Sequence, residues 1–169
     1  MKRLLRIKGK PYFASIVFKD SDGEIFNIYI SLTYLKDAHL NNILYDWRSP
    51  ICSLFYDYET GPCSYMAPAG EISGQLLRKR QYKIENNELL HIFDNSLNID
   101  DDVLQEVLAE ESSEKMKNVV NTIQEEQNKV IRDLETDNLI VQGIAGSGKT
   151  TVALHRIAFL LYRISNLSS

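Results

Sequence analysis

The sequence predicts an α+β protein, with an antiparallel, β-rich module over residues 1–94 and a second part, residues 95–169, that contains helices and the start of an α/β domain. Three observations predict this. In the first part, stretches rich in β-branched and aromatic residues follow one another, separated only by turn-forming residues. In the second part, apolar residues recur at spacings of three and four, as in amphipathic helices. A glycine-rich loop there lies between a short apolar run and one of these helices.

The overall composition is that of an ordinary globular chain. Its 169 residues, 44% of them hydrophobic and 25% charged, are enough for one good core or two small ones. A net charge of −4 gives no general attraction to nucleic acid or membranes. No apolar run approaches the roughly 20 residues needed to cross a membrane, and the basic N-terminus lacks the features of a signal peptide. We therefore expect a cytoplasmic protein.

The cysteines and histidines do not predict a metal site. Cys52 and Cys63 are not part of a Cys-x-x-Cys motif and have no histidine pair nearby. His39, His91 and His155 are too scattered to form a metal-binding or catalytic set. We therefore expect both cysteines to be ordinary reduced thiols.

The first part of the chain predicts successive β-hairpins. Turn-forming segments at Asp20–Gly23, Glu59–Pro62 and Glu85–Asn87 separate its apolar stretches. Hairpins that follow one another without helices between them favour an antiparallel sheet or a small, partly closed barrel. The predicted strands are Tyr12–Lys19, Glu24–Ile30, Ile43–Trp47, Leu54–Tyr58, Ser64–Met66, Gln75–Ile84 and Glu88–Phe93.

Helices are predicted at the start of the chain and in its second part. Residues 1–10 have the pattern of the end of an amphipathic helix. The acidic residues Asp100–Asp102 precede apolar residues at helical spacing, which favours a role in capping a helix N-terminus. A longer helix is predicted between Ser113 and Leu134.

Residues Gly143–Thr150 match the nucleotide-binding P-loop pattern, G-x-x-x-x-G-K-[ST], at every fixed position. A loop that wraps a polyphosphate must bring its N–H groups close to the oxygens, which glycines allow because they have no Cβ. Lys149 would place a positive charge on the β- and γ-phosphates, and the Thr150 hydroxyl would bind Mg²⁺. We therefore expect a nucleoside triphosphate to bind through Gly143, Ala145, Gly146, Ser147, Gly148, Lys149, Thr150 and Thr151.

The sequence around the loop supports this interpretation. Leu139–Val141 is a short apolar run typical of a buried strand, and it follows a break at Asp137-Asn138. After the loop, apolar residues recur at helical spacing, so a helix would direct its N-terminal dipole at the phosphates. Strand, loop and helix in this order are what the motif requires. The apolar residues of this predicted helix are Val152, Ala153, Ile157, Leu160, Leu161 and Ile164.

Gln127 interrupts the apolar stripe of the preceding helix. It falls on the same face as Ile123 and Val130 and lies 16 residues before Gly143. A buried amide must find hydrogen-bond partners, and an amide can read the N6/N7 edge of adenine. Helix geometry alone leaves two interpretations open: a residue that reads adenine, and a glutamine half-exposed at the margin of the stripe.

Several segments resemble known helicases. Ile123–Gln127 resembles the adenine-reading Q motif of superfamily 1 helicases of the UvrD/Rep type, and Gly143–Thr151 followed by Leu154–Ala158 resembles their motif I. The first part of the chain is similar to HelD, a family of UvrD-like ATPases of Gram-positive bacteria that associate with RNA polymerase. Ala14-Ser15 departs from the Gly/Ala-Arg expected after Pro-Tyr-Phe. The segments that carry this second likeness are Pro11–Phe13, Asp46–Ile51, Leu54–Glu59, Gly70–Ile72 and Lys79–Tyr82.

The resemblance implies an ATPase or helicase motor that uses ATP and Mg²⁺ and acts on DNA or RNA polymerase. Gln127 would read adenine, and Lys149 and Thr150 would be the catalytic residues of a loop that opens a RecA-like domain. Proteins of this family are several times longer; they begin with a coiled-coil arm and continue into Walker B, the arginine fingers and a second RecA-like domain. We therefore expect an N-terminal fragment that ends just after motif I and does not hydrolyse ATP. A RecA sheet reduced to one strand leaves apolar surface uncovered, so self-association or a distorted last helix is also expected.

Two further clusters each have a functional and a structural interpretation. The basic residues within Arg78–Lys83 could form a surface for nucleic acid or polymerase, but a solvated edge strand protected by its charges is favoured. Trp47 lies between Asp46 and Arg48. It is interpreted as a core indole with an ion pair at its rim, with a binding role as the alternative.

Three function classes are compatible with the sequence. The first is the front part of a motor ATPase that acts on transcription complexes or DNA. The second is another P-loop enzyme, such as a small kinase, whose acceptor site would have to lie upstream of the loop. The third is a non-catalytic interaction module in which the loop is a remnant. The β-rich part shows no acceptor-binding pattern, which disfavours the kinase.

Overall fold

The computed structural model describes residues 7–94 and 126–167, which contain one seven-stranded sheet and a small number of helices. The mixed α and β class and the β-rich character of the first part are confirmed. No helix within these two ranges is long and apolar enough to cross a membrane. In chain order the elements are β1 (Ala14–Asp20), β2 (Ile25–Ser31), β3 (Leu35–Lys36), β4 (Asn42–Asp46), a 3₁₀ helix (Pro50–Cys52), α1 (Ser53–Asp57), β5 (Gly61–Ala67), β6 (Gly70–Glu85), β7 (Glu88–Asp94), the helical residues 126–132 (α2) and α3 (Lys149–Leu167).

The sheet is built around β6, which is 16 residues long. β6 pairs antiparallel with β1 on one side, and on the other side its first half pairs with β5 and its second half with β7. From β1 the sheet continues through β2 and β4 to β3. β2 and β4 run parallel, with Ile30 beside Tyr45 and Ser31 beside Asp46, whereas the other pairs are antiparallel. Hairpins therefore account for most of the sheet, as predicted, but not for the placement of β4.

Two of the predicted turns connect strands as expected. Between β1 and β2, Gly23 has a φ of 88° and its N–H donates to Asp20 O at 3.2 Å. Between β6 and β7, Asn86 and Asn87 have φ values of 51° and 70°. Two successive residues with positive φ give the turn twist that antiparallel strands prefer, and asparagine tolerates this conformation better than most residues.

The main core lies between one face of the sheet and α1. Alternate residues of β1 and β2 point to this face, and Phe18, Ile28 and Ile30 are at most 1% exposed. Leu54 and Phe55 of α1 belong to the same buried cluster. The sheet therefore has one covered face, which is what the alternating pattern of its strands requires.

Both cysteines are buried, and neither forms a disulfide in the structure. Cys52 belongs to the main core and is fully buried. Burial raises the pKa of its thiol from the ordinary value of 9.0 to about 12. The reactive thiolate is therefore disfavoured at neutral pH, so Cys52 is a packing residue and not a nucleophile.

The strand predicted at Leu54–Tyr58 is wrong, because these residues form α1 after a 3₁₀ turn. Pro50 begins that turn, where its fixed φ suits a helical start. Leu54, Phe55 and Tyr56 are all buried. Successive residues of a strand point to opposite faces, so a strand with one covered face would not bury all three. An apolar run this short does not distinguish a strand from a helix by its pattern.

The prediction that the basic residues lie on an edge strand is also wrong, because their strand, β6, pairs with other strands on both sides. Lys79 and Lys83 are only 3% and 4% exposed. The Lys79 ammonium donates to Tyr58 O at 3.1 Å and lies 5.2 Å from the centre of the Phe55 ring. At least two of the basic side chains are therefore held within the fold and do not form a continuous basic surface.

Several predicted helical features lie at the ends of the two described ranges or outside them. Residues 7–10 are not helical, so the described end of the predicted N-terminal helix is not formed. Asp100–Asp102 and the segment from Ser113 to Ile123 lie outside the described residues. Residues 126–132 are helical, in agreement with the helix predicted up to Leu134.

Candidate functional site

The glycine-rich loop leads directly into α3, which begins at Lys149. Gly146 and Gly148 have φ values of 83° and 80°, in the left-handed region that suits glycine. At Gly143 the constraint is space, because an added Cβ would lie 2.6 Å from the Ser147 Oγ. The backbone conformation of the loop therefore favours glycine at Gly146 and Gly148 independently of any ligand, whereas at Gly143 a Cβ could be accommodated if the Ser147 hydroxyl rotated away.

The Lys149 ammonium points back into the loop. Its Nζ donates to Gly143 O at 2.8 Å and to Ile144 O at 2.6 Å. An anion in the loop would have to compete with these two carbonyl oxygens for the ammonium. The contact with phosphate therefore stays a prediction. The other residues predicted to contact the triphosphate are exposed along the loop and the start of α3: Ala145, Ser147, Thr150 and Thr151.

Gln127 lies beside the loop, on α2. A Cβ added to Gly148 would be 3.5 Å from the Gln127 Nε2. The side chain is half-buried, so both interpretations offered by the sequence remain consistent with its exposure. The structure nevertheless brings Gln127 and the loop together, which the reading of adenine requires.

The strand predicted at Leu139–Val141 is not formed, so the full strand–loop–helix unit of a RecA-like domain is not present in the described residues. Ile140 is 93% exposed and Ile144 is 82% exposed. A strand needs a neighbour to pair its N–H and C=O groups, and the sheet does not extend to this segment. The order of loop and helix is as predicted, and the RecA-like domain stays a prediction.

A magnesium site would have few protein ligands here. Within residues 7–94 and 126–167, no group of three or more His, Cys, Asp or Glu side chains could hold a metal ion. The Thr150 hydroxyl is exposed at the start of α3, where it could serve as one ligand. Mg²⁺ usually keeps several waters and binds phosphate oxygens, so such a site is compatible with one hydroxyl ligand.

Trp47 joins the loop region to the sheet. It packs against the main core and also against a second buried cluster formed by Ile131, Val152 and Phe159. Its ring centre lies 5.8 Å from that of His155 on α3. One indole therefore contributes to both cores.

An ion pair flanks Trp47. Arg48 Nε and Nη2 donate to the two carboxylate oxygens of Asp46, at 2.8 Å and 2.7 Å, and Asp46 is 2% exposed. The bond to Asp46 raises the pKa of Arg48 above its ordinary value. The guanidinium carbon of Arg48 also lies 4.6 Å from the centre of the Tyr162 ring. The interpretation of Trp47 as a core indole with an ion pair at its rim is therefore confirmed.

Two arginines fix α2 in place. Arg132 Nη2 donates to Trp47 O at 2.6 Å. Arg156 Nη1 donates to Val130 O at 2.5 Å and to Asp133 O at 2.8 Å, at the end of α2. The only sequence signal for Arg132 is its place beside the apolar Ile131, and its partner is 85 residues away.

A cleft of about 380 Å³ opens beside β4, between residues of the β3–β4 region and Tyr162 of α3. It contains none of the residues predicted to bind nucleotide, so it is separate from the loop. Its lining residues are Tyr34, Lys36, Asn42, Leu44, Tyr45, Asp46, Ser49 and Tyr162.

Comparison with known families bears on the first part of the chain. The family model for the N-terminal domain of DNA helicase IV HelD matches residues 1–115. No curated protein matches the chain. The family match contains the whole sheet and α1 but ends before Gln127 and the glycine-rich loop. The match and the loop geometry are therefore separate observations, made on different parts of the sequence.

Proposed function

The chain belongs to the HelD family of helicase-like proteins through its N-terminal domain, and on this premise we propose that it is the ATP-binding front part of a motor that acts on DNA or RNA polymerase complexes. The observation that supports this most directly is the approach of Gln127 to Gly148 at the base of the loop. Such a motor is expected to belong to a helicase family and to have a loop with the triphosphate-binding pattern, and this chain has both features.

The residues of the loop have distinct roles in this proposal. Backbone N–H groups of the loop and the first turn of α3 bind phosphate oxygens, because a helix leaves its first N–H groups without intrahelical partners. Lys149 exchanges its two carbonyl partners for phosphate, and Thr150 binds the Mg²⁺ that neutralises phosphate charge. Gln127 pairs with adenine. The nucleotide is thus held at both ends.

We propose that the 169-residue chain binds ATP but does not hydrolyse it by itself. Phosphoryl transfer needs a carboxylate for Mg²⁺ and the attacking water, and arginines for the charge on the γ-phosphate. The sequence from Thr151 to Ser169 has no Asp or Glu, and Asp100–Asp102 precede the loop. We propose that hydrolysis, and the recycling of RNA polymerase in the cytoplasm, need a carboxylate and arginines in these roles that the residues of this chain do not supply.

A second candidate is a non-catalytic interaction module with a remnant loop. The bonds from Lys149 to Gly143 O and Ile144 O favour it, because they satisfy the ammonium without phosphate. The absence of strand structure at 139–141 points the same way. The two candidates differ in one property, the affinity for Mg-ATP.

Calorimetry with a non-hydrolysable ATP analogue separates them. We expect magnesium-dependent heat from the wild-type chain and an affinity at least about tenfold lower after Lys149→Ala, because the point charge on the β- and γ-phosphates is lost. Arg80→Lys, on β6, is the matched control and should bind as the wild type does. If the folded wild-type chain gives no magnesium-dependent heat, the remnant-loop function is correct instead.

A further inference from the structure

Arg132 is a side chain of α2 that touches both the sheet module and α3. Its Nη2 donates to Trp47 O, and its guanidinium carbon lies 4.3 Å from the centre of the Tyr56 ring and 5.2 Å from that of Phe159. Tyr56 belongs to α1 and Phe159 to α3. One guanidinium therefore bridges three helices and the segment that follows β4.

The chemistry of these contacts favours arginine. A guanidinium is flat, so it can stack on aromatic rings with its faces while it donates hydrogen bonds with its edge. A lysine ammonium at the same place could keep one contact but not this combination. The hydrogen bond from Arg132 to Trp47 O is partly buried. A hydrogen bond from a charged group is stronger in such a place than in solvent.

The position of Arg132 connects it to the loop. Arg132 is five residues after Gln127 on α2, and Gln127 approaches Gly148. The Trp47 carbonyl accepts a hydrogen bond from Arg132, and the centre of the Trp47 ring lies 5.8 Å from the centre of the His155 ring. His155 is on α3, six residues after Lys149. The loop and Trp47 are therefore connected along both α2 and α3, and Arg132, on α2, contacts α3 through Phe159.

We propose that Arg132 is a positioning residue that sets Gln127 against the loop and couples occupation of the loop by nucleotide to the packing of Trp47 on the sheet. This inference rests on the proposed binding of ATP. It goes further because it names the route by which the HelD-type sheet module would sense the nucleotide. Movement of Lys149 toward phosphate shifts the start of α3, and the contacts of Arg132 and His155 transmit that shift to the indole.

Trp47 provides the readout, because it is the only tryptophan in the 169 residues. Its emission is measured while the wild-type chain is titrated with Mg²⁺ and a non-hydrolysable ATP analogue, and calorimetry gives the affinity for the same ligand. We expect a saturable change in emission whose midpoint matches the calorimetric affinity. Arg132→Lys should lower the affinity by about fivefold or more and abolish the emission change at saturating ligand. Arg80→Lys should preserve both.

The outcomes separate this inference from the proposed function. If wild-type calorimetry shows no binding, the proposed function fails and the inference fails with it. If the wild type binds but its Trp47 emission does not respond, or Arg132→Lys binds and responds as the wild type does, only the inference is overturned. A lower melting temperature with unchanged affinity and response assigns Arg132 a purely structural role. Should Arg132→Lys not fold, His155→Gln takes its place, because His155 is exposed on α3 and its loss should reduce the emission change without preventing folding.

Discussion

Individual residues in the loop were predictable because their constraints are local. The conformations of Gly146 and Gly148 and the crowding at Gly143 follow from a few neighbouring atoms, and the motif encodes them directly. The partner of Lys149 was not predictable in the same way. In the structure its ammonium bonds two loop carbonyls, a choice that depends on the folded shape of the loop.

The crowding at Gly143 gives a test of the loop at the scale of single atoms. Gly143→Ala should reduce the affinity for the Mg-ATP analogue by about threefold, because the new Cβ would lie 2.6 Å from the Ser147 Oγ and the hydroxyl must leave its place in the loop. The double variant Gly143→Ala with Ser147→Ala removes that oxygen and should recover a large part of the affinity. Calorimetry on the two variants and on Ser147→Ala alone measures this. Equal affinities for the single Gly143→Ala and double variants would show that the crowding does not control the loop.

Secondary-structure elements were predictable where turn chemistry and alternation agree. Asp20–Gly23 and the pair Asn86-Asn87 identify their hairpins correctly, because the sequence of each turn specifies its conformation. α1 was not predictable, because five mainly apolar residues fit either a strand or a helix until their burial is known. The interior place of β6 depends on its pairing with three other strands, which no local pattern specifies.

The turn between β6 and β7 gives a prediction on stability. Asn87→Gly should stabilise the fold by about 0.5 kcal/mol, because glycine adopts positive φ without strain and keeps the N–H that bonds Gly9 O. Asn87→Val should destabilise it by about 1–2 kcal/mol, because a β-branched residue is strained in this conformation. Urea denaturation measures both changes. A destabilised Asn87→Gly variant would mean that the asparagine side chain makes an essential contact of its own.

At the scale of the whole molecule, the predicted β-rich sheet is present. The sequence pattern does not predict how this sheet contacts the loop region. Trp47 and Arg132 are 85 residues apart in the sequence and are brought into contact by the tertiary fold. Spacing and periodicity report on neighbours within an element, so they do not predict the contact of Arg132, whereas the interpretation of Trp47 as a core residue rests on its neighbours Asp46 and Arg48. The family match identifies the first part, and the motif identifies the loop.

The loop region also leaves apolar side chains uncovered. Ile140 is 93% exposed, and Ile157 on α3 is 54% exposed. We expect the chain to self-associate as its concentration rises, because burying such surface is favourable. Ile140→Lys combined with Ile157→Lys should weaken association at least about tenfold by analytical ultracentrifugation. Leu40→Lys, a change at a 74% exposed residue of the sheet module, is the control. Association that survives the double change would assign the contact to another surface.

The parallel pairing of β4 with β2 has a consequence for the whole chain. Trp47 N–H donates to Ser31 O at 2.9 Å, so the segment that holds Arg132 continues the backbone ladder of the sheet. Side chains alternate along a strand, so a slip of this segment by one residue would move the side chains of Asp46 and Trp47 each to the opposite face of the sheet. The position of α2 beside the sheet is thus linked to the register of β4, because Arg132 on α2 donates to the Trp47 carbonyl.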